Sequence, residues 1–175
     1  MNVNLADVAK GAAVVFCAAV VQVTVLSTVS VLGGTPDLVL VTLVAVALLR
    51  GSIFGAVAGF GAGLVVDTAS LETLGLTSLL LTLAGYWIGR YGETTGRDRT
   101  HAPFVSVAVV TTLYAFGALI LHYMLDDPVS ARVVLIDSLP PGLLFNLLLT
   151  LPVYALCRRL FGPAERATAE VRLLG

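Results

Sequence analysis

Apolar runs broken by short polar or turn-forming intervals dominate the chain: residues 11–32, 36–49, 53–66, 71–89, 103–125 and 140–157 are largely hydrophobic. Inside the runs there is no alternation of apolar and polar positions, which argues against the strands of a membrane barrel. The hydrocarbon of a bilayer gives a bare peptide group no partner, so such runs are predicted to be helices that satisfy their own backbones. The predicted architecture is an all-α integral membrane protein of six transmembrane helices, a single domain over residues 1–175 with a cytoplasmic tail at 158–175. Runs two and three have 14 residues each. That is about 21 Å of helix against a hydrocarbon core of roughly 30 Å. They are read as short spans or as one re-entrant hairpin, and either option returns the chain to the side it left.

Composition strengthens the membrane assignment. Hydrophobic residues make up 58% of the chain and charged residues 12%, against about 45–50% and 25% in soluble domains. The first run is longer than the apolar core of a typical signal peptide and further runs follow it, so it is read as the first span. A net charge of −1 with no clustered basic patch excludes nucleic acid as a partner. Cys17 and Cys157 lie in apolar runs without metal-ligand or disulfide spacing, which leaves them as small buried hydrophobes.

Basic residues favour cytoplasmic loops. With the N-terminus inside, Lys10, Arg50, Arg90, Arg97, Arg99, Arg158, Arg159, Arg166 and Arg172 share one side and only Arg132 lies opposite. Both ends of the chain are therefore expected in the cytoplasm. Asp37, Asp67, Glu72, Asp126 and Asp127 fall on the outer side.

Two kinds of residue are candidates for function. Gly51, Gly55, Gly59 and Gly63 recur every four residues and so share one helix face; Gly85 and Gly89 repeat the spacing in run four. Small residues at that interval let membrane helices approach closely, either within the bundle or against a partner's helix. The second kind is polar and lies in the outer half: Gln22, Asp37, Asp67, His122, Asp137 and Asn146. Gln22, His122 and Asn146 either line an outward pocket or hydrogen-bond between helices. Asp67 fits two roles, as one of the acids beside a helix start capped by Thr68 or Ser70 or as a carboxylate offered to a partner. Asp137-Ser138-Leu139-Pro140-Pro141 reads as a helix start with Ser138 near the cap and proline in the first turn. The competing role for Asp137 is a buried proton-relay carboxylate.

Enzymatic signatures are missing. The chain has no HExxH, GxSxG or phosphate-binding glycine loop, and its two histidines, His101 and His122, fall on opposite sides of the membrane. No catalytic residue, metal site or cofactor is expected.

The order of several short motifs is distinctive: Pro36-Asp37-Leu38, Arg50-Gly51, Gly59-Phe60-Gly61-Ala62-Gly63-Leu64-Val65-Val66-Asp67, Leu74-Gly75, Gly85-Tyr86-Trp87-Ile88-Gly89, then Pro141, Asn146, Pro152 and Arg158-Arg159. Over roughly residues 30–160 the chain resembles MreD, the rod shape-determining membrane protein family. That resemblance implies a non-enzymatic scaffold in the bacterial inner membrane that binds the bitopic protein MreC. Through MreC it would meet the actin-like MreB filament and the peptidoglycan synthases. It also implies a fold similar to the substrate-binding S-component of energy-coupling-factor vitamin transporters, which makes such a transporter subunit the alternative function. Aromatic residues make up 7% of the chain and Trp87 lies toward the cytoplasmic end, which disfavours an aromatic-lined outer pocket.

Overall fold

A computed structural model describes residues 5–25, 34–71, 74–95, 101–125 and 130–161. Every regular element among these residues is helical: α1 (Leu5–Thr24), α2 (Leu38–Arg50), α3 (Ser52–Ser70), α4 (Leu76–Thr95), α5 (Ala102–Met124) and α6 (Leu139–Leu160), the last preceded by a π-helical stretch, Val133–Ser138. Three of the helices are long and apolar enough to cross a membrane, Ser52–Ser70, Ala102–Met124 and Val133–Leu160. Ala9–Thr24 and Leu38–Arg50 are shorter apolar helices.

The bundle is organised around α2. It is apolar on all sides, and a helix of that kind must be enclosed. All ten residues from Val39 to Leu48 are buried, and α2 touches each of the other five helices. One side packs Val39, Leu43 and Val46 against Val15 and Ala19 of α1, Ala62 of α3, Leu81 of α4 and Cys157 of α6. The other packs Leu40, Val44, Ala47 and Leu48 against Ile88, Val107 and Val110. The surrounding helices turn large apolar residues outward, among them Ile53, Val57 and Phe60 on α3 and Leu144, Leu148 and Leu151 on α6. That pattern suits hydrocarbon on the outside and side-chain packing within.

Gly51 alone separates α2 from α3, with φ 97° and ψ −179°. That backbone is essentially restricted to glycine, so the Arg50-Gly51 pair makes a one-residue reversal.

Two predicted boundaries are corrected. Run three was expected to be short, at 53–66, but α3 extends to Ser70. Asp67 does not end it, because its carboxylate turns inward to the next helix. Run four was expected at 71–89, yet α4 occupies Leu76–Thr95, and its last turn folds Glu93 back against α3. The final α-helix starts where expected, at Leu139 after Ser138 with proline in its first turn, but the Ser138 side chain makes no capping bond. The π stretch leads directly into α6 through Leu139 N–H to the Val134 carbonyl. Pro140 and Pro141 lack N–H groups and crowd the preceding turn, and the wider π turn accommodates them. The expected extension of run one to residue 32 lies outside the described residues.

Candidate functional site

The N-terminus of α2 sits inside the bundle, where its first N–H groups need acceptors that water cannot supply. Side chains from two other helices and from Asp37 itself meet that need. Asp37 caps the helix, its Oδ1 accepting from Leu40 N–H at 2.9 Å. Gln22 of α1 uses both halves of its amide, accepting from Leu38 N–H at 2.8 Å and donating to the Pro36 carbonyl at 3.1 Å. Asn146 of α6 accepts from Asp37 N–H at 2.7 Å and donates to Thr111 Oγ1 of α5 at 3.1 Å. An amide side chain supplies donor and acceptor from separate atoms, a carbonyl oxygen and an NH2 group. Three of the six outer polar candidates are thus brought together, and what they bind is the backbone of α2 and one another.

Asp67, His122 and Asp137 do not join them. Asp67 is fully buried and accepts three backbone N–H groups, from Gly75 at 2.8 Å, Thr77 at 3.2 Å and Ser78 at 3.3 Å. It caps the start of α4 from the end of α3. The expectation that Thr68 supplies this cap is corrected, since its hydroxyl donates back to the Leu64 and Val65 carbonyls of its own helix. Asp137 is exposed within the π stretch, which rules out the buried proton-relay role considered for it. His122 is half-buried in the last turn of α5.

The same device occurs at the opposite end of the α3–α4 pair, on a residue the sequence did not single out. Glu93 of α4 accepts from Ser52 N–H at 2.8 Å and from Ser52 Oγ at 3.0 Å, at the start of α3, and pairs with Arg90 at 3.3 Å. The two Ser52 donors, aided by Arg90, hold its carboxyl below the usual glutamate range. Glu93 and Ser52 are 41 residues apart, so no local spacing announces the cap. Each helix of the pair is therefore capped by an acid carried near the far end of the other.

Between the two acids the helices meet backbone to backbone. A Cβ built on Gly55 would lie 2.3 Å from the Gly85 carbonyl oxygen, one on Gly59 2.2 Å from that of Leu81, and one on Gly63 2.2 Å from Ser78 Cα. Gly89 would meet Ser52 Cα at 2.4 Å, and Gly51 the Glu93 carboxylate at 2.5 Å. Ser78 Oγ adds a hydrogen bond to the Phe60 carbonyl at 3.0 Å. All six glycines assigned to partner packing lie in this internal seam. Of the two uses open to the glycine face, packing within the bundle is the one seen and its assignment to a partner's helix is corrected: α4 of the same chain fills it.

Among the described residues no three His, Cys, Asp or Glu side chains are grouped to hold a metal. Fold and site together define a class, a multi-pass membrane helical bundle whose interior polar groups join helices. Residues 9–160 match the family model of the rod shape-determining protein MreD, and the chain belongs to that family. No curated protein and no solved structure matches it. Membership makes it a bacterial multi-pass membrane protein with a rod-shape-determining role, in a family that is structural in character.

Proposed function

We propose that this chain is a non-enzymatic adaptor of the inner membrane that binds an MreC-like bitopic protein. Through that partner it helps position lateral peptidoglycan synthesis along the MreB-like filament. The observation that carries the proposal is the family match over residues 9–160, which runs from within α1 to the end of α6. The polar network favours an adaptor over the vitamin-carrier alternative, because Gln22, Asp37 and Asn146 spend hydrogen bonds on the α2 backbone. With the glycine face closed by α4, the partner's helix meets the outer surface of the bundle.

Co-expression with an MreC-like protein and affinity purification tests this directly, and the two chains should be recovered together. A folded, monodisperse chain that retains none of that partner would sink the proposal.

We also propose that both ends face the cytoplasm. Lys10, Arg50, Arg90, Arg158 and Arg159 lie on helix ends that meet one another. Gly11 packs on Phe54, Glu93 bonds Ser52, and the Arg50 guanidinium lies 4.9 Å over the Phe161 ring. A reporter active only outside the membrane should be silent when fused to either terminus and active when inserted near Arg132. The reverse pattern would invert the topology.

A further inference from the structure

The geometry points to a water-filled recess that opens at the end of the bundle opposite Arg50, reaches Thr35 and Asp37 inside the membrane, and admits small cations. It does not depend on the identity of the protein partner; only the side on which it opens rests on the proposed orientation. Depth is set by the final helix. Asp137 and Arg158 are exposed and bracket 20 uncharged residues, 138–157, which rise about 30 Å, the thickness of the hydrocarbon core. The chain ahead of α2 runs beside this stretch. A Cβ built on Gly34 would lie 2.5 Å from the Gly142 nitrogen, and Asp37 N–H donates to Asn146 at 2.7 Å. Gly142 and Asn146 follow Asp137 by five and nine residues, which places them about 7 and 13 Å inside the layer.

Residues 35–37 are not helical, and irregular backbone at that depth is tolerated where protein buries it or where it lines water. Burial is incomplete here: Gly34 and Pro36 are buried, but Thr35 is exposed, and Asp37 and Gln22 are half-buried. On the spans, exposed residues such as Val57 and Phe60 of α3 or Leu144 and Leu148 of α6 are apolar. A hydroxyl, a carboxylate and an amide that keep open surface together suit water, because a carboxylate turned to lipid is costly. Gln22 and Asn146 form the floor. Their amides bind Pro36, Leu38, the Asp37 N–H and Thr111, so water stops above them and the N–H groups of α2 stay with side-chain acceptors.

Charge selects the solute. No Lys or Arg occurs in residues 11–49, 51–89, 102–131 or 133–157, so no basic side chain within the spans offsets the Asp37 carboxylate. Arg132 precedes Asn146 by 14 residues, about 21 Å along the helix. A carboxylate in a narrow aqueous space draws cations and repels anions.

The test uses single cysteines in the full chain, in a Cys17→Ser, Cys157→Ala background. Membrane-impermeant thiosulfonates bearing a trimethylammonium or a sulfonate group are applied to either face of membrane vesicles, and rates are taken relative to free cysteine. Thr35→Cys should react from the same face as Ile136→Cys, while Leu148→Cys, exposed on α6, should stay unmodified. At Thr35→Cys the cationic reagent should outpace the anionic one about tenfold. Asp37→Asn keeps a capping oxygen and should cut that ratio about fivefold. The recess is overturned if Thr35→Cys is as inert as Leu148→Cys while Ile136→Cys reacts, since lipid or protein then covers the site. The cation preference is overturned if the ratio at Thr35→Cys matches that of free cysteine, or if Asp37→Asn leaves it unchanged. Reaction of both Thr35→Cys and Ile136→Cys from the cytoplasmic face would overturn the proposed orientation and leave the recess standing.

Discussion

Replacing Gly55 with leucine is expected to abolish recovery of the folded monomer, whereas the same replacement at Gly61 is expected to leave it unchanged. The two glycines lie six residues apart on one helix but on different faces. At Gly55 the new Cβ would sit 2.3 Å from a carbonyl oxygen of α4, while at Gly61 nothing lies within 4 Å. Overpacking usually costs about 1–3 kcal/mol because side chains can shift. Here the obstacle is backbone in a helix pair tied at one end by Asp67 and at the other by Glu93, so the cost is expected at about 3 kcal/mol or above. Detergent-extracted protein followed by size exclusion and thermal unfolding makes the comparison. A Gly55→Leu protein that elutes and melts like the unsubstituted chain would mean that the seam between α3 and α4 is not closed in the membrane.

Asp67→Ala should be the next most damaging change. It strands the N–H groups of Gly75, Thr77 and Ser78 inside the bundle, and each buried donor left without an acceptor costs about 1–3 kcal/mol. Shared geometry makes these costs less than additive, so a loss of about 3 kcal/mol is expected. Asp67→Asn keeps one carbonyl oxygen and should recover part of it. The role of Asp67 as a carboxylate presented to a partner predicts a different outcome. Capture of an MreC-like protein would then fall while the unfolding midpoint of Asp67→Ala stayed where it was. Measuring both quantities on the same preparation separates cap from contact.

The apolar runs, the small-residue face and the polar residues in otherwise apolar helices were legible because each is a local pattern with a direct physical cause. Hydropathy alone places the cores of all six runs near the observed helices. Where helices stop was less legible, for a reason that Asp67 and Glu93 share. A charged residue in sequence reads as the end of an apolar run, but both carry their charge across to a neighbouring helix and let their own helix continue. The glycine spacing was clear, and what it faced was not. A four-residue repeat states that a backbone approaches without stating which one. Gln22 and Asn146 follow the same rule: their amides announce a hydrogen bond between helices, while the α2 terminus they serve becomes visible only in three dimensions.

The enclosed position of α2 also constrains how the protein is made. Its 13 residues rise about 20 Å, too little to cross the hydrocarbon core unaided, and its N-terminal end is secured by residues that enter the membrane at different times. Gln22 is synthesised before α2, but Asn146 follows Asp37 by 109 residues. Until the sixth helix leaves the insertion machinery, the Asp37 amide lacks its acceptor from α6. The bundle therefore closes from its last-made element inward, so a truncation before Asn146 removes the fastening of a helix completed more than ninety residues earlier.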